Sequence, residues 1–202
     1  MADTQPAAFA PGRHGRSVGE PGVVIRELTD FSLANVLARR GRSAEAAAAA
    51  EQAFGVRLPD GPRLATGYGM SFIGTGPGQW LALSPGCDEG VETLLGGALG
   101  DSVSVFDQSD SRVMLELRGP RVRDVLAKGV TLDLHPRAFA TGQAAVTTVA
   151  HLAVHLWQAG DEPLYRLLGV RTYFESLWHW LAAASAEYGA QVLAPARYPA
   201  SG

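Results

Sequence analysis

The chain has 202 residues, is 47% hydrophobic and carries a net charge of −3 at pH 7, so it can bury a normal core as one large domain or two small ones and offers no basic field to a nucleic acid. Its 17 cations are one lysine, Lys128, and otherwise arginines. A lone cysteine, Cys87, excludes an internal disulfide and a cysteine-built zinc site, which suits a reducing cytoplasm, and no apolar run approaches the roughly 20 residues that cross a bilayer.

Residues 1–22 contain arginines, prolines and small residues without an apolar centre, and read as a flexible lead-in, not a secretory signal. A strand is expected at 23–28, then an alanine-rich helix over Ser43–Phe54, opened by Ser43 and closed by Gly55. Residues 64–74 and 79–84 form a hairpin around Gly74-Thr75-Gly76-Pro77-Gly78, and a helix over 88–99 ends at Gly100. A strand at 102–106 joins this half to the next. At 112–117, Val113, Leu115 and Leu117 alternate with Met114 and Glu116, the period of a strand with one buried face. Arg118-Gly119-Pro120 stops it, and Val122, Val125 and Leu126 recur at helical spacing within 120–128, up to Gly129. After Leu134-His135-Pro136, the run 145–157 alternates again, with Val146, Thr148, Ala150, Leu152, Val154 and Leu156 on one face; it pairs with 164–168. A helix over 172–188 ends at Gly189, and 191–202, with prolines at 195 and 199, is expected to be a surface tail. The order strand, helix, hairpin, helix thus occurs twice, over about 23–100 and 101–190. It predicts an α+β domain whose helices cover sheets made of antiparallel hairpins.

Few side-chain groupings suggest chemistry. His151 and His155 are four apart, but on a strand that is about 13 Å, too far to share a metal ion. They are expected to line the face opposite Val146–Leu156, with Thr147 and Trp157, as hydrogen-bonded interior or interface groups. Asp107, Ser109, Asp110 and Arg112 follow a strand end. Such residues are ordinary turn formers, although Asp107 or Asp110 could also pair with a pterin edge, with Arg112 or Arg118 near a folate's glutamate tail. Gly67-Tyr68-Gly69 and residues 74–78 do not complete a dinucleotide-binding fingerprint, and there is no P-loop. Ser109, His151 and Asp133 lack a nucleophile elbow, and the acidic neighbours Asp88 and Glu89 would raise the Cys87 thiol's pKa. In the last helix, Phe174, Leu177, Trp178, Leu181 and Tyr188 form one stripe that Tyr173 and Trp180 widen to roughly 160°, beyond the roughly 100° of a one-sided helix. These aromatics are covered either by the chain's own sheet or by a partner.

Three segments carry a resemblance: Gly76-Pro77-Gly78-Gln79-Trp80-Leu81-Ala82-Leu83, the stretch from Gly119-Pro120-Arg121 through Asp124-Val125-Leu126-Ala127-Lys128-Gly129 to Leu132-Asp133-Leu134-His135-Pro136, and Ser176-Leu177-Trp178-His179-Trp180-Leu181. Over about residues 23–190 the chain resembles the gamma subunit of heterotetrameric sarcosine oxidase, which is itself similar to the folate-binding domain of aminomethyltransferase, the glycine-cleavage T-protein. The resemblance implies a noncatalytic subunit, without cofactor or metal of its own. Its alpha, beta and delta partners would carry FAD, FMN, NAD, zinc and tetrahydrofolate. The complex would oxidise sarcosine to glycine, with hydrogen peroxide and 5,10-methylenetetrahydrofolate as the other products. Tyr173, Trp178, Trp180, His151 and His155 are then interface candidates. The alternative is a stand-alone folate-binding or aminomethyl-transferring protein using Asp107, Asp110, Arg112 or Arg118.

Overall fold

The computed structural model describes residues 10–199. In chain order the elements are β1 (Gly12–His14), β2 (Val23–Thr29), β3 (Phe31–Ala38), α1 (Ser43–Phe54), β4 (Leu64–Thr66), β5 (Ser71–Gly76), β6 (Gln79–Pro85), α2 (Val91–Leu99), β7 (Val103–Asp107), β8 (Arg112–Arg118), α3 (Val122–Ala127), β9 (Ala144–Val149), β10 (Leu152–Gly160), β11 (Leu164–Val170), α4 (Phe174–Ser185), β12 (Ala190–Val192) and β13 (Ala196–Arg197). Eight strands form one sheet in the order β1-β12-β2-β8-β11-β10-β9, with β13 added beside β2, and five form the other in the order β4-β5-β6-β3-β7.

Period-two alternation makes each strand two-faced, and the two faces feed different cores. In β8, Val113, Leu115 and Leu117 join Val125, Leu126, Leu177 and Leu181 of α3 and α4. In β3 and β6, Ala34, Val36, Trp80 and Ala82 join Ala46, Ala50 and Leu95 of α1 and α2. The opposite faces, with Leu33, Leu81, Leu83, Met114, Trp157 and Leu168, pack on one another. The molecule is therefore four layers deep: helices, large sheet, small sheet, helices. This is the α+β arrangement that the helix and hairpin pattern predicts.

The repeat holds at a deeper level than the sequence pattern suggested, because β3 was missing from that pattern. With it, each half reads strand, strand, helix, three-stranded meander, helix, and β7 is the counterpart of β2 instead of a joiner. Each leading strand crosses into the other half's sheet: β2 pairs antiparallel with β8, and β7 with β3. Neither half can complete its sheet alone.

Two runs expected to be continuous strands are folded back on themselves. Residues 64–74 break at 67–70 so that β4 pairs with β5 through Thr66↔Ser71. A Cβ at Gly67 would stand 2.0 Å from the Phe54 carbonyl oxygen, so only glycine lets this turn lie against the end of α1. Residues 145–157 break at Ala150 and His151, both at positive φ (48° and 72°), and β9 returns on β10 through Val149↔Leu152. This is the backbone hand of a two-residue hairpin turn, without the Asn or Gly that usually announces it. The turn moves Val146 out of the expected buried face: it is 58% exposed, while Val154 and Leu156 are buried.

The ends of the chain are also more engaged than expected. β1 pairs with β12, and β12 and β13 both run parallel to β2. Tyr198 is buried between the sheets, so the predicted surface tail is part of the core through that residue. The lead-in expected over 1–22 is paired at Gly12–His14, and residues 1–9 lie outside the described ones. At α1 the capping position is Arg42, not Ser43, and the Arg42 guanidinium pairs with Glu45 at 2.6 Å.

Candidate functional site

The four folate candidates are not brought to one place. Asp107 ends β7 and accepts a hydrogen bond from the Ser109 amide through Oδ1 at 2.7 Å, an Asx turn, while its own amide donates to Glu92 at 2.8 Å. The turn-forming role of Asp107 is what the structure displays. Arg118 lies at the far end of β8 from Arg112, six residues or about 20 Å away, opposite Leu164 and Val24. Only Asp110 and Arg112 share a groove, of about 250 Å³, whose lining also includes Glu27, Asp30, Ser109 and Arg171.

Arg171 is the residue in this groove that sequence reasoning missed altogether. Its Nε donates to the Asp110 carbonyl at 2.7 Å and its Nη2 to the Arg112 carbonyl at 3.0 Å, which fastens the start of α4 to the entry of β8. Glu27 was legible in principle, since it shares with Val23 and Ile25 the alternate positions of β2 that should be apolar. Burial raises its carboxyl pKa above the usual value, and the Arg171 charge pulls the other way.

The interface candidates separate into covered and open groups. Trp178 is covered: it belongs to the helix-side core and meets the His14 ring edge-on at 5.4 Å, so β1 supplies part of its cover. Of the two covers considered for the last helix, the chain's own packing supplies that of Trp178. Trp180 is half-buried and lies against the backbone of Gly129, where an added Cβ would be 2.5 Å from the indole ring. It shares a depression of about 460 Å³ with Lys128, Thr148 and His151. The α3–α4 side of this depression is tied by Lys128, whose Nζ donates to the Ala184 carbonyl at 2.6 Å and pairs with Glu187. Tyr173, 56% exposed, stands just before α4.

His155 is not a neighbour of His151 on one strand face, as expected, because the turn at Ala150–His151 leaves His151 exposed. In β10, His155 sits opposite Val146 and Leu168 on the inter-sheet side, with its Nδ1 buried and without a hydrogen-bond partner. Burial, reinforced by the Arg112 charge, lowers its pKa from 6.5 to about 4. As pH falls below 6.5 the unfolded chain takes up this proton and the folded chain does not until about 4. Stability is therefore lost across that window, by at most about 3 kcal/mol, and is flat with respect to this group below it. Denaturant unfolding at pH 7 and pH 4.5 checks this: the drop should be about 2–3 kcal/mol smaller in His155→Gln than in the parent chain, and an equal drop in both would assign the acid sensitivity elsewhere.

Among the described residues no three His, Cys, Asp or Glu side chains are grouped for a metal ion, and no helix is long and apolar enough to cross a membrane. The described surface thus includes a depression beside the half-buried Trp180, a smaller groove at Asp110 and Arg112, and the exposed Tyr173 ring just before α4.

Comparison with known proteins agrees with this geometry. Residues 40–187 match the sarcosine oxidase, gamma subunit family. The chain is 34% identical over 173 residues to sarcosine oxidase subunit gamma of Arthrobacter sp, covering 85% of this chain and 84% of that one. It is 36% identical over 177 residues to the gamma subunit of Corynebacterium sp. (strain P-1), with the same coverage. Among solved structures, a chain of the heterotetrameric sarcosine oxidase from Corynebacterium sp. U-96, in complex with pyrrole 2-carboxylate, superposes with a TM-score of 0.75 at 32% identity, covering 87% of this chain and 88% of that chain. The glycine cleavage system aminomethyltransferase T from Bartonella henselae superposes with a TM-score of 0.62 at 14% identity, over 87% of this chain and 48% of that chain. This second likeness is one of fold. On a family match that spans most of its length and on identities above 30% to several gamma subunits, the chain belongs to the sarcosine oxidase gamma subunit family.

Proposed function

We propose that this protein is the noncatalytic gamma subunit of a heterotetrameric, flavin-dependent sarcosine oxidase of the cytoplasm. It packs against alpha, beta and delta subunits that carry FAD, FMN, NAD, zinc and tetrahydrofolate. The complex converts sarcosine to glycine, with hydrogen peroxide and 5,10-methylenetetrahydrofolate formed by the partners' chemistry. Within it this chain acts by assembly, offering the Trp180–His151 depression and the exposed Tyr173 to neighbouring subunits.

One observation carries this reading: the chain is similar to gamma subunits over nearly their whole length but spans only 48% of the aminomethyltransferase whose fold it shares. An activity housed across that larger enzyme therefore has little support in this one. The placement of the folate candidates adds to it, since Asp107 is spent on a turn and Arg118 is a strand length from Arg112.

Coexpression with the three partner subunits followed by gel filtration tests the proposal. The chain should elute with them, and alone it should neither oxidise sarcosine nor retain flavin. Sarcosine-dependent peroxide from the isolated chain would overturn the noncatalytic role. Micromolar binding of tetrahydrofolate by the isolated chain, lost in Asp107→Ala, would favour a folate-binding protein instead.

A further inference from the structure

The outer edge of β7 is bare where the matching edge of β2 is occupied. In the larger sheet, β12 and β13 lie parallel to β2 on the side away from β8, through Val192↔Ile25 and Arg197↔Thr29. The Leu193 and Tyr198 amides donate to the Ile25 and Thr29 carbonyls at 2.9 and 2.7 Å. Those segments come from the chain beyond α4. The first half has none to spare, because the chain leaving α2 becomes β7 itself. β7 therefore ends the smaller sheet, with β3 on one side and no strand on the other among the described residues. The two strands also match in sequence: Val103, Val105 and Asp107 alternate along β7 as Val23, Ile25 and Glu27 do along β2.

The ladder to β3 shows which peptide groups face the bare side. The Gln108 amide donates to the Leu33 carbonyl at 2.7 Å and the Arg39 amide to the Ser102 carbonyl at 2.9 Å. In this register Ser104 and Phe106 also turn their peptide groups toward β3, so those of Val103, Val105 and Asp107 point outward. At Asp107 they are satisfied locally, the amide by Glu92 at 2.8 Å and the carbonyl by the Gln108 side chain at 2.9 Å. The N–H and C=O of Val105 and the C=O of Val103 have no partner among the described residues. Nothing in Val103–Asp107 blunts the edge in the usual ways, since it holds no lysine, proline or bulge. Val103 and Val105 face the α2 core, while Phe106, on the other face, is 52% exposed.

Charge describes what fits there. Asp88, Glu89, Glu92, Asp101, Asp107 and Asp110 are all exposed, and residues 85–111 hold no lysine or arginine. Glu92 and Asp107 meet at the C-terminal end of β7. At its N-terminal end the cations are those of the β3–α1 connection: the Arg42 guanidinium takes the Asp101 carbonyl at 2.9 Å and is paired with Glu45. We infer that the β7 edge receives an extended segment of a partner subunit, parallel to β7 as β12 is to β2, with a lysine or arginine in its later residues against Glu92 and Asp107. Its backbone bonds Val105 and its side chains cover Phe106. Two copies of this edge related by a two-fold axis would meet antiparallel, unlike the seam on β2.

This inference rests on the proposed assembly role, and the coexpressed complex tests the two separately. Hydrogen exchange over residues 103–107 should slow at least about tenfold between the free chain and the complex, since the Val105 amide gains an acceptor. Val105→Pro removes an outward donor and no bond to β3. Free, it should keep its melting temperature within about 5 °C, yet its complex should dissociate on dilution at an at least about tenfold higher concentration. Glu92→Gln combined with Asp107→Asn keeps the hydrogen-bonding shape and should weaken the complex at low salt, less so in about 1 M salt. Unchanged exchange, or either variant assembling as tightly as the parent, would overturn the inference and leave the subunit role standing. A parent chain that fails to coelute with the partners would overturn both. Self-association of the isolated chain that Val105→Pro abolishes would make a second copy the occupant, and would overturn the inference too.

Discussion

Replacing Glu116 by alanine is expected to cost about 3–5 kcal/mol of stability, among the largest effects available to a single polar substitution in this chain. Glu116 stands on β8 between Arg26 of β2 and Arg166 of β11, directly opposite both, on the face that packs against the smaller sheet. It receives Arg166 through Nε at 3.2 Å and Nη2 at 3.1 Å, both on Oε2. The pair is largely withdrawn from water, with side-chain exposures of 13% and 16%. Tyr198 closes over it, 5.0 Å from the Arg166 guanidinium to the ring centroid, and burial drives the Tyr198 hydroxyl pKa upward. The Arg26 Nε is buried without a hydrogen-bond partner. Two arginines against one carboxylate already leave a positive excess in the seam, and removing Glu116 would leave both cations unneutralised. Urea unfolding of Glu116→Ala measures the loss. The triple change Arg26→Met, Glu116→Leu, Arg166→Met should recover most of it, because it removes the charges together. If the triple variant were as unstable as the single, the seam would be held by specific hydrogen bonding and not by charge balance.

Trp157→Ala should cost a comparable amount, about 3–5 kcal/mol, the range for emptying a large aromatic site in a close-packed core. Trp157 is fully buried and lies in the next strand of the same row, opposite Arg166 and Ala144. It is the largest side chain of the inter-sheet core, and both sheets would have to collapse into the space it leaves. Its indole N–H is buried without a hydrogen-bond partner, so the ring contributes here through volume alone. Trp157→Phe should therefore cost much less, about 1.5 kcal/mol or below, since it sacrifices some volume but also removes the unsatisfied donor. Thermal or urea unfolding of the two variants decides it. A Phe variant as damaged as the Ala variant would mean that the N–H has a partner in solution.

Both predictions concern the layer between the sheets, which was only half legible beforehand. Alternation in Val113–Leu117 identified one buried face of β8, and Met114 and Glu116 appeared to be its open side. In the fold that side is buried as well, against the second sheet. A strand covered on both faces still shows alternation when one face carries a paired ion, so period two reports two kinds of environment without saying that either is wet. The same limit applies to the last helix. Its wide aromatic arc was visible in the sequence, but β1 covers Trp178, Gly129 admits Trp180, and Tyr173 is left outside, as contacts between distant parts of the chain decide.

The groove at Asp110 and Arg112 was legible only as a strand end followed by turn formers. Arg171 and Glu27 come to it from 59 residues downstream of Arg112 and 85 upstream, the first through bonds to backbone carbonyls, which leave no trace in residue type. A charged residue at an alternate apolar position of β2, as at Glu27, was a further trace in the sequence that went unread.

Local chemistry alone showed that strand, helix, hairpin and helix recur in both halves of this chain, though not β3 or the third strand of each meander, because helical spacing, alternation and glycine stops are written within ten or so neighbouring residues. The segments around Trp80, Lys128 and Trp178 likewise carried the family resemblance unaided. The tertiary structure decided the rest: the exchange of β2 and β7 between the halves, the return of β9 on β10 at Ala150 and His151, and the capture of Tyr198. Strand partnership is a competition between distant segments for the same edge, and a turn that forces alanine and histidine to positive φ is stabilised by the sheet that it closes rather than by its own residues.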